Sequence, residues 1–142
     1  CSNFSSKQLN RACLVSKVEY IQMPINVLSG ALDKSISEIC NINKIKVIGY
    51  NVLLNGLLTG KYSKKSIFLK NDRRSRLSLF KGNNFINALK SIEKLKLKAA
   101  KNNISLANYA INWALTQKNI SSVVVGIKNS EQIIENYSTL PN

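Results

Sequence analysis

The stretch Ile45-Lys46-Val47-Ile48-Gly49-Tyr50-Asn51-Val52-Leu53-Leu54-Asn55-Gly56-Leu57-Leu58-Thr59-Gly60-Lys61-Tyr62 decides how the chain is read. Its first six residues are rich in β-branched and aromatic side chains, the composition of a short strand. The glycines that follow, Gly56 and Gly60, punctuate a turn leaving that strand. Upstream, Val18–Gln22 reads as another strand, broken by Pro24 and Asn26. A helix precedes each strand. The first spans Ser5–Val15, where Ser5 or Ser6 can accept from the free amides of the first turn and Leu9, Ala12 and Cys13 form an apolar stripe. The second spans Ala31–Cys40, with Leu32, Ile36 and Cys40 on one face.

Downstream, Ser63–Gly82 has no clear period and reads as a long basic loop able to order on a ligand. Asn83–Lys101 is a helix, because Phe85, Leu89, Ile92, Leu95 and Ala99 recur at spacings of three and four. Ser105 caps a further helix over Leu106–Gln117. Ile120–Val125 is a third strand, mostly β-branched as expected of a strand buried on both faces, and Ser130–Asn136 is a last helix. Alternating helices and strands imply a parallel sheet. Three strands cannot close a barrel, and left open they would expose two long edges. The fold class is therefore α/β, and the order reads as the later portion of a (β/α)8 barrel of the TIM type, incomplete as it stands. A doubly wound sheet is the alternative, although no GxGxxG follows any strand.

Composition narrows the function classes. The 142 residues give one domain or part of a larger one, and 44% apolar residues exclude a disordered tail. Apolar runs such as Val52-Leu53-Leu54 and Val123-Val124-Val125 fall far short of the roughly 20 residues of a bilayer span. Histidine is absent, which excludes a Ser-His-Asp or Cys-His triad and any His-ligated metal in this chain. The net charge of +14 suits a phosphate-bearing partner: nucleic acid, anionic lipid or a phosphorylated cofactor. A general bias toward Lys, Asn, Ile and Ser would produce the same balance. No aromatic RNA-binding motif and no run of five basic residues is present, which argues against nucleic acid. Cys1, Cys13 and Cys40 are odd in number and lack CxxC spacing, so a reducing, cytoplasmic setting without a disulfide or metal is expected. Cys1-Ser2-Asn3-Phe4 has no signal-peptide features, and Ser138-Thr139-Leu140-Pro141-Asn142 follows a helical pattern without a cap. The expectation is a partial domain over residues 1–142, cut at both ends.

Each candidate site has two readings. Gly56-Leu57-Leu58-Thr59-Gly60-Lys61 fails as a P-loop, with too few residues between the glycines and Tyr62 in place of the metal-binding hydroxyl. Its glycines can still bring backbone amides to a phosphate, with Lys61 adding charge, or simply form a turn. Tyr50, at a strand end, can stack on a flat heterocycle at a barrel mouth or sit as a rim tyrosine. Gln22 can hydrogen-bond a carboxamide or be a satisfied rim side chain. Gly126-Ile127-Lys128-Asn129-Ser130-Glu131-Gln132 joins the last strand to the last helix, where barrels commonly hold a phosphate, and a structural turn explains the glycine equally well. Arg73, Arg74 and Arg76 suit phosphate recognition or form a solvated loop.

In order, these segments resemble the aldo-keto reductases. Cys1-Ser2-Asn3-Phe4-Ser5 with Gln8-Leu9 is similar to that family's Gly-Val-Ser-Asn-Phe segment, and Gln22-Met23-Pro24-Ile25-Asn26 to its Gln-x-Pro-Tyr-Asn. Tyr50 to Tyr62 resembles Tyr-Ser-Pro-Leu-x-x-Gly-Leu-Leu-Thr-Gly-Lys-Tyr, and Asp72 to Leu77 with Phe80 resembles an Asp-Phe-Arg-Ser loop. Ala107 to Trp113 is similar to Ala-Gln-Leu-Ala-Leu-Ala-Trp, and Gly126 to Asn136 to Gly-x-x-x-x-Glu-Gln-Leu-x-Glu-Asn.

The resemblance implies strands six to eight of the barrel, preceded by the tip of strand five, and an NADP(H)-dependent reduction of aldehydes and ketones. It implies that Ser2, Asn3 and Gln22 hold the nicotinamide carboxamide and that Tyr50 stacks on the nicotinamide ring. Asn51, Leu53, Asn55 and Lys61 would line the pyrophosphate. Arg74 and Lys128 would lie near the 2′-phosphate ribose, Gln132 and Asn136 near the adenine, and Gly126 counts among the cofactor-binding residues. The partners implied are NADP(H), a small carbonyl substrate and the missing N-terminal half of the barrel. Three departures stand out. Asn51-Val52 replaces the usual Ser-Pro, Ile25 replaces an aromatic, and the family's catalytic Asp, Tyr, Lys and His have no positions here. The expected chain is the cofactor-binding half of such a reductase, inactive alone. A non-catalytic regulatory member resembling potassium-channel β subunits and a basic nucleic-acid-binding domain are the alternatives.

Overall fold

The computed structural model describes residues 1–138. Three strands, β1 (Tyr20–Pro24), β2 (Lys46–Tyr50) and β3 (Ile120–Val123), form one parallel sheet in the order β1-β2-β3. Ile21 lies opposite Val47 and Pro24 opposite Tyr50. Between β2 and β3 the register slips after Val47, so that Val47 faces Ile120 while Ile48 faces Ser122. Helices α1 (Ser6–Val15), α2 (Lys34–Ile42), α3 (Gly82–Lys101), α4 (Leu106–Leu115) and α5 (Ser130–Tyr137) complete the order. The expected alternation is therefore present.

Local chemistry sets the boundaries. Ser5 is the N-cap of α1 in a reciprocal box with Gln8, whose side chain accepts from the Ser5 amide. The second helix starts at Lys34, later than the expected Ala31, because the Asp33 carboxylate accepts from the amides of Ser35 and Ile36. The first strand runs to Pro24 and does not stop at Gln22. A proline is tolerated there because it is the last strand residue, and the next amide, Ile25, donates to the Tyr50 carbonyl at 3.0 Å. The third strand ends at Val123, short of Val125. Ser121 and Ser122 are exposed, so it is an edge strand and not one buried on both faces. The uncapped end expected after Ser138 lies outside the described residues.

The segment expected to await a ligand is already ordered. Residues 63–81 carry two 3-10 turns, Arg73–Arg76 and Ser78–Phe80. Phe68 sits edge-on to Tyr62, Phe80 and Phe85, with ring centroids 5.2, 5.1 and 5.7 Å apart. Each such pair adds about 0.5–1.5 kcal/mol beyond burial. A loop without a helical or strand period can therefore be anchored by a few aromatic side chains.

The core falls into three clusters. Leu9, Ile21, Ile36, Cys40 and Val47 join α1 and α2 to the sheet. Ile25, Val52, Ile111 and Ala114 join α4 to the strand ends. Phe85, Leu89, Ile92 and Leu95 of α3 pack on Leu54, Leu57, Leu58 and Ala110, the stripe that the spacing predicts. These clusters cover one sheet face. On the other, Tyr20, Gln22, Lys46 and Ser122 are exposed, with Ile48 and Tyr50 half-buried. Parallel sheets are ordinarily covered on both faces. No described helix is long and apolar enough to cross a membrane.

Candidate functional site

The first group of candidates meets at the C-terminal end of the open sheet face. Ser2 pairs in parallel with Gln22, the Asn3 amide donates to the Gln22 carbonyl at 3.0 Å, and the Gln22 amide donates to the Cys1 carbonyl at 2.8 Å. The segment before α1 thus lies alongside β1 like the tip of another strand. Asn3 takes a left-handed conformation (φ 56°), one that asparagine tolerates better than most residues. From the end of β2, the Tyr50 hydroxyl donates to Asn3 Oδ1 at 2.7 Å. Ser2, Asn3, Gln22 and Tyr50 therefore stand together at this rim.

The second group lines a cavity of about 600 Å³ beside the first, where Asn51, Leu53, Asn55, Lys61, Arg74, Gly126, Lys128, Gln132 and Asn136 come together. The two groups join at the consecutive residues Tyr50 and Asn51. The wall after β2 is a tight irregular turn. Asn51 (φ 55°), Leu54 (φ 47°), Asn55 (φ 55°) and Gly56 (φ 85°) are all left-handed. Asparagine and glycine adopt this region readily, whereas Leu54 carries a cost of order 1 kcal/mol there. The Asn51 side chain closes the turn by accepting from the Asn55 amide at 3.2 Å. Asn51 thus closes the turn from the position at which the resembling pattern has serine. At Gly60 the left-handed backbone (φ 73°) calls for glycine, while the nearest atom to an added Cβ, Lys96 Cε at 2.8 Å, ends a flexible side chain that can swing aside.

The electrostatics of the cavity are those of an anion site. Burial pushes the Lys61 ammonium below its ordinary pKa, and repulsion from Lys128 and Arg74 adds to the shift. A phosphate placed among these cations would relieve that repulsion. Arg74 is not fully available. Its Nε donates to Asp72 Oδ1 and Oδ2 at 2.8 and 3.0 Å, its Nη2 donates to Asp72 Oδ2, and its Nη1 donates to the Tyr62 hydroxyl. The guanidinium also lies 5.2 Å from the ring centroids of both Tyr62 and Phe68. Arg73 and Arg76 are exposed and do not line the cavity. On α5, Asn129 caps the helix by accepting from the Gln132 amide at 3.1 Å, and Gln132 Oε1 accepts from the Lys128 amide at 3.0 Å. Gln132 therefore shapes the Gly126–Asn129 turn as well as the wall.

Glu135, Thr59 and Ala107, outside the expected set, also line the cavity. Glu135 was recoverable, since it stands one helical turn after Gln132. Thr59 lies in the turn that Gly56 and Gly60 announce, and its hydroxyl donates to the Gly56 carbonyl at 2.9 Å.

The fold and site have counterparts among known proteins. Aldo-keto reductase YhdN of Bacillus subtilis is 29% identical over 133 residues, covering 93% of this chain and 40% of that protein. The NADH-specific methylglyoxal reductase of Escherichia coli is 23% identical over 139 residues, covering 98% and 42%. A probable voltage-gated potassium channel subunit beta of Oryza sativa is 35% identical over 97 residues, covering 64% and 28%. The structure of a glycerol dehydrogenase from Gluconobacter oxydans superposes with a TM-score of 0.81 at 26% identity, over 99% of this chain and 44% of that one. The chain thus spans well under half the length of these proteins. Its parallel sheet with helices on one face fits part of their barrel. The model of the Aldo/keto reductase family matches residues 1–141, and the chain belongs to that family.

Proposed function

We propose that the chain is the dinucleotide-binding part of an NADP(H)-dependent reductase that interconverts aldehydes or ketones and alcohols. The observation that carries this reading is the single site formed by the cation-lined cavity and the Tyr50, Asn3 and Gln22 cluster next to it. A dinucleotide needs such a pair of neighbouring surfaces, one for charged phosphates and one for a flat amide-bearing ring. In this reading β1 to β3 are strands six to eight, Cys1–Asn3 is the tip of strand five, and the open sheet face is the barrel lumen. Residues 1–142 are then a partial domain, and the rest of the barrel wall is the partner it requires, in a cytoplasmic setting.

The bound cofactor supplies a hydride; this chain supplies position. Ser2, Asn3 and Gln22 hold the carboxamide, and Tyr50 stacks on the ring. Asn51, Leu53, Asn55 and Lys61 receive the pyrophosphate. Lys128, with Gly126 leaving room at the turn and Arg74 reduced by its bond to Asp72, receives the 2′-phosphate. Gln132 and Asn136 border the adenine. Nothing in this set matches the family's proton donor, so the chain alone should show negligible turnover. Titration with NADPH and NADH, followed by nicotinamide fluorescence, tests the reading together with a turnover assay on a reactive aromatic aldehyde. Saturable binding with NADPH tighter than NADH supports it. Tighter NADH binding moves it to the other cofactor, and binding of neither overturns it.

A second reading is a non-catalytic regulatory member, favoured by the rice channel-subunit relative. A barrel completed with a wall that carries the catalytic Asp, Tyr, Lys and His separates the two by turnover. Salt-dependent DNA binding that ignores NADPH and survives Lys61→Ala would instead point to nucleic acid.

A further inference from the structure

The hydrogen bond from the Tyr50 hydroxyl to Asn3 Oδ1, 2.7 Å long, joins residues 47 apart in sequence. It ties the segment ahead of α1 to the end of β2, across the C-terminal end of β1. An asparagine amide has one acceptor end and one donor end. With Oδ1 engaged by Tyr50, the amide has a fixed sense, and its Nδ2 group has no partner among the described residues. The backbone is fixed too, since the Asn3 amide is bonded to the Gln22 carbonyl and its φ of 56° is left-handed. A side chain of this kind, with one end clamped and the other presented at the rim, is preorganised for a carbonyl acceptor.

The geometry points to Tyr50 as a positioning residue with two separable parts. Its ring offers the stacking surface, and its hydroxyl holds the Asn3 amide so that Nδ2 donates to the carbonyl oxygen of the nicotinamide carboxamide. This rests on the dinucleotide reading above. The free rotation that an unclamped exposed asparagine would lose on binding is removed in advance.

The test titrates the 142-residue chain and its Tyr50→Phe, Asn3→Gly and doubly substituted forms with two ligands. One is NADPH. The other is adenosine 2′,5′-bisphosphate, which has no nicotinamide. Phenylalanine keeps the ring, and glycine keeps the left-handed backbone of residue 3. Tyr50→Phe is expected to weaken NADPH binding about 5- to 10-fold, the scale of one hydrogen bond. It should change bisphosphate binding by less than about twofold. On the Asn3→Gly background the same hydroxyl removal should have an effect below about twofold on NADPH, because the group it positions is gone. Equal losses for both ligands, or an undiminished effect without Asn3, would overturn the inference. If the parent chain binds both ligands equally, the dinucleotide reading survives and the inference does not; if it binds neither, both fail. Should Asn3→Gly not fold, Asn3→Asp replaces it, since it keeps the acceptor for Tyr50 and removes the donor.

Discussion

Replacing Gly49 by alanine probes the tightest approach in the sheet. Gly49 sits in β2 directly before Tyr50, and an added Cβ would stand 2.6 Å from Ile25 Cγ2 and 3.2 Å from Val123 Cγ1. Apolar carbons prefer about 3.5–4.0 Å, so Ile25 would have to retreat by about 1 Å. It has nowhere to go, being 0% exposed and packed with Val52, Ile111 and Ala114. Overpacking of this kind costs about 1–3 kcal/mol, and the smaller entropy of the unfolded alanine chain returns about 0.4–1. A net loss of about 1–2 kcal/mol is expected, or a melting temperature roughly 3–8 °C lower. Ile25→Ala alone should cost about 2–5 kcal/mol through the cavity it leaves. In the double variant the new methyl fills part of that space, so the losses should sum to about 1 kcal/mol less than additivity. Denaturant unfolding of the four proteins measures all three quantities. Additivity within about 0.5 kcal/mol, or a stabilising Gly49→Ala, would show that Ile25 does not crowd this strand and would remove the reason for the glycine.

Other outcomes follow from the site and its frame. Lys61 has a pKa below the ordinary 10.5 in the free chain, and a bound anion should restore it. Binding then takes up a proton, so NADPH affinity should fall as pH rises through the lowered Lys61 pKa, and Lys61→Gln should flatten that limb of the titration. In the free chain the sign is opposite: the depressed base costs stability below its folded pKa, and this cost fades as pH climbs toward 10.5. Lys128→Ala should weaken NADPH more than NADH in the same assay. Phe68→Ala removes the ring that contacts Tyr62, Phe80 and Phe85; a loss of about 2 kcal/mol and fast hydrogen exchange across residues 63–81 are expected. Asn119 enters β3 with φ 71° and donates from Nδ2 to the Ser37 carbonyl at 2.9 Å. Asn119→Ala should cost about 1–3 kcal/mol by thermal unfolding, with Asn119→Gly milder than alanine in its backbone strain.

What the sequence announces here depends on range. The α3 stripe of Phe85, Leu89, Ile92 and Leu95 repeats often enough to reveal both its helix and its buried side. The thirteen proposed contacts stand in ordered motifs; Gln22 and Tyr50 meet because strand ends in a parallel sheet share one rim, whereas Arg74, Gln132 and Asn136 reach the cavity from the 73–76 turn and α5. Features decided by single long-range contacts were not readable. The order of the 63–81 segment comes from Phe68 meeting rings on both sides of it, and nothing local in Ser63-Lys64-Lys65-Ser66 foretells that. The clasp on Arg74 has a local half, Asp72, and a distant half, Tyr62, and only their meeting shows that the guanidinium is already occupied. Strand limits slipped because Pro24 breaks a strand interior but not a strand end.

The bare side of the sheet has a consequence for the behaviour of the chain in solution. Ile48 and Tyr50 of β2 expose part of their aliphatic and aromatic surface beside β3, whose outer edge is unpaired among the described residues, a combination that invites strands from another molecule. At low ionic strength the charge of +14 holds copies apart by mutual repulsion. Added electrolyte shortens the reach of that repulsion to about 8 Å near physiological strength. Colloidal solubility of the isolated polypeptide should thus decline with rising salt.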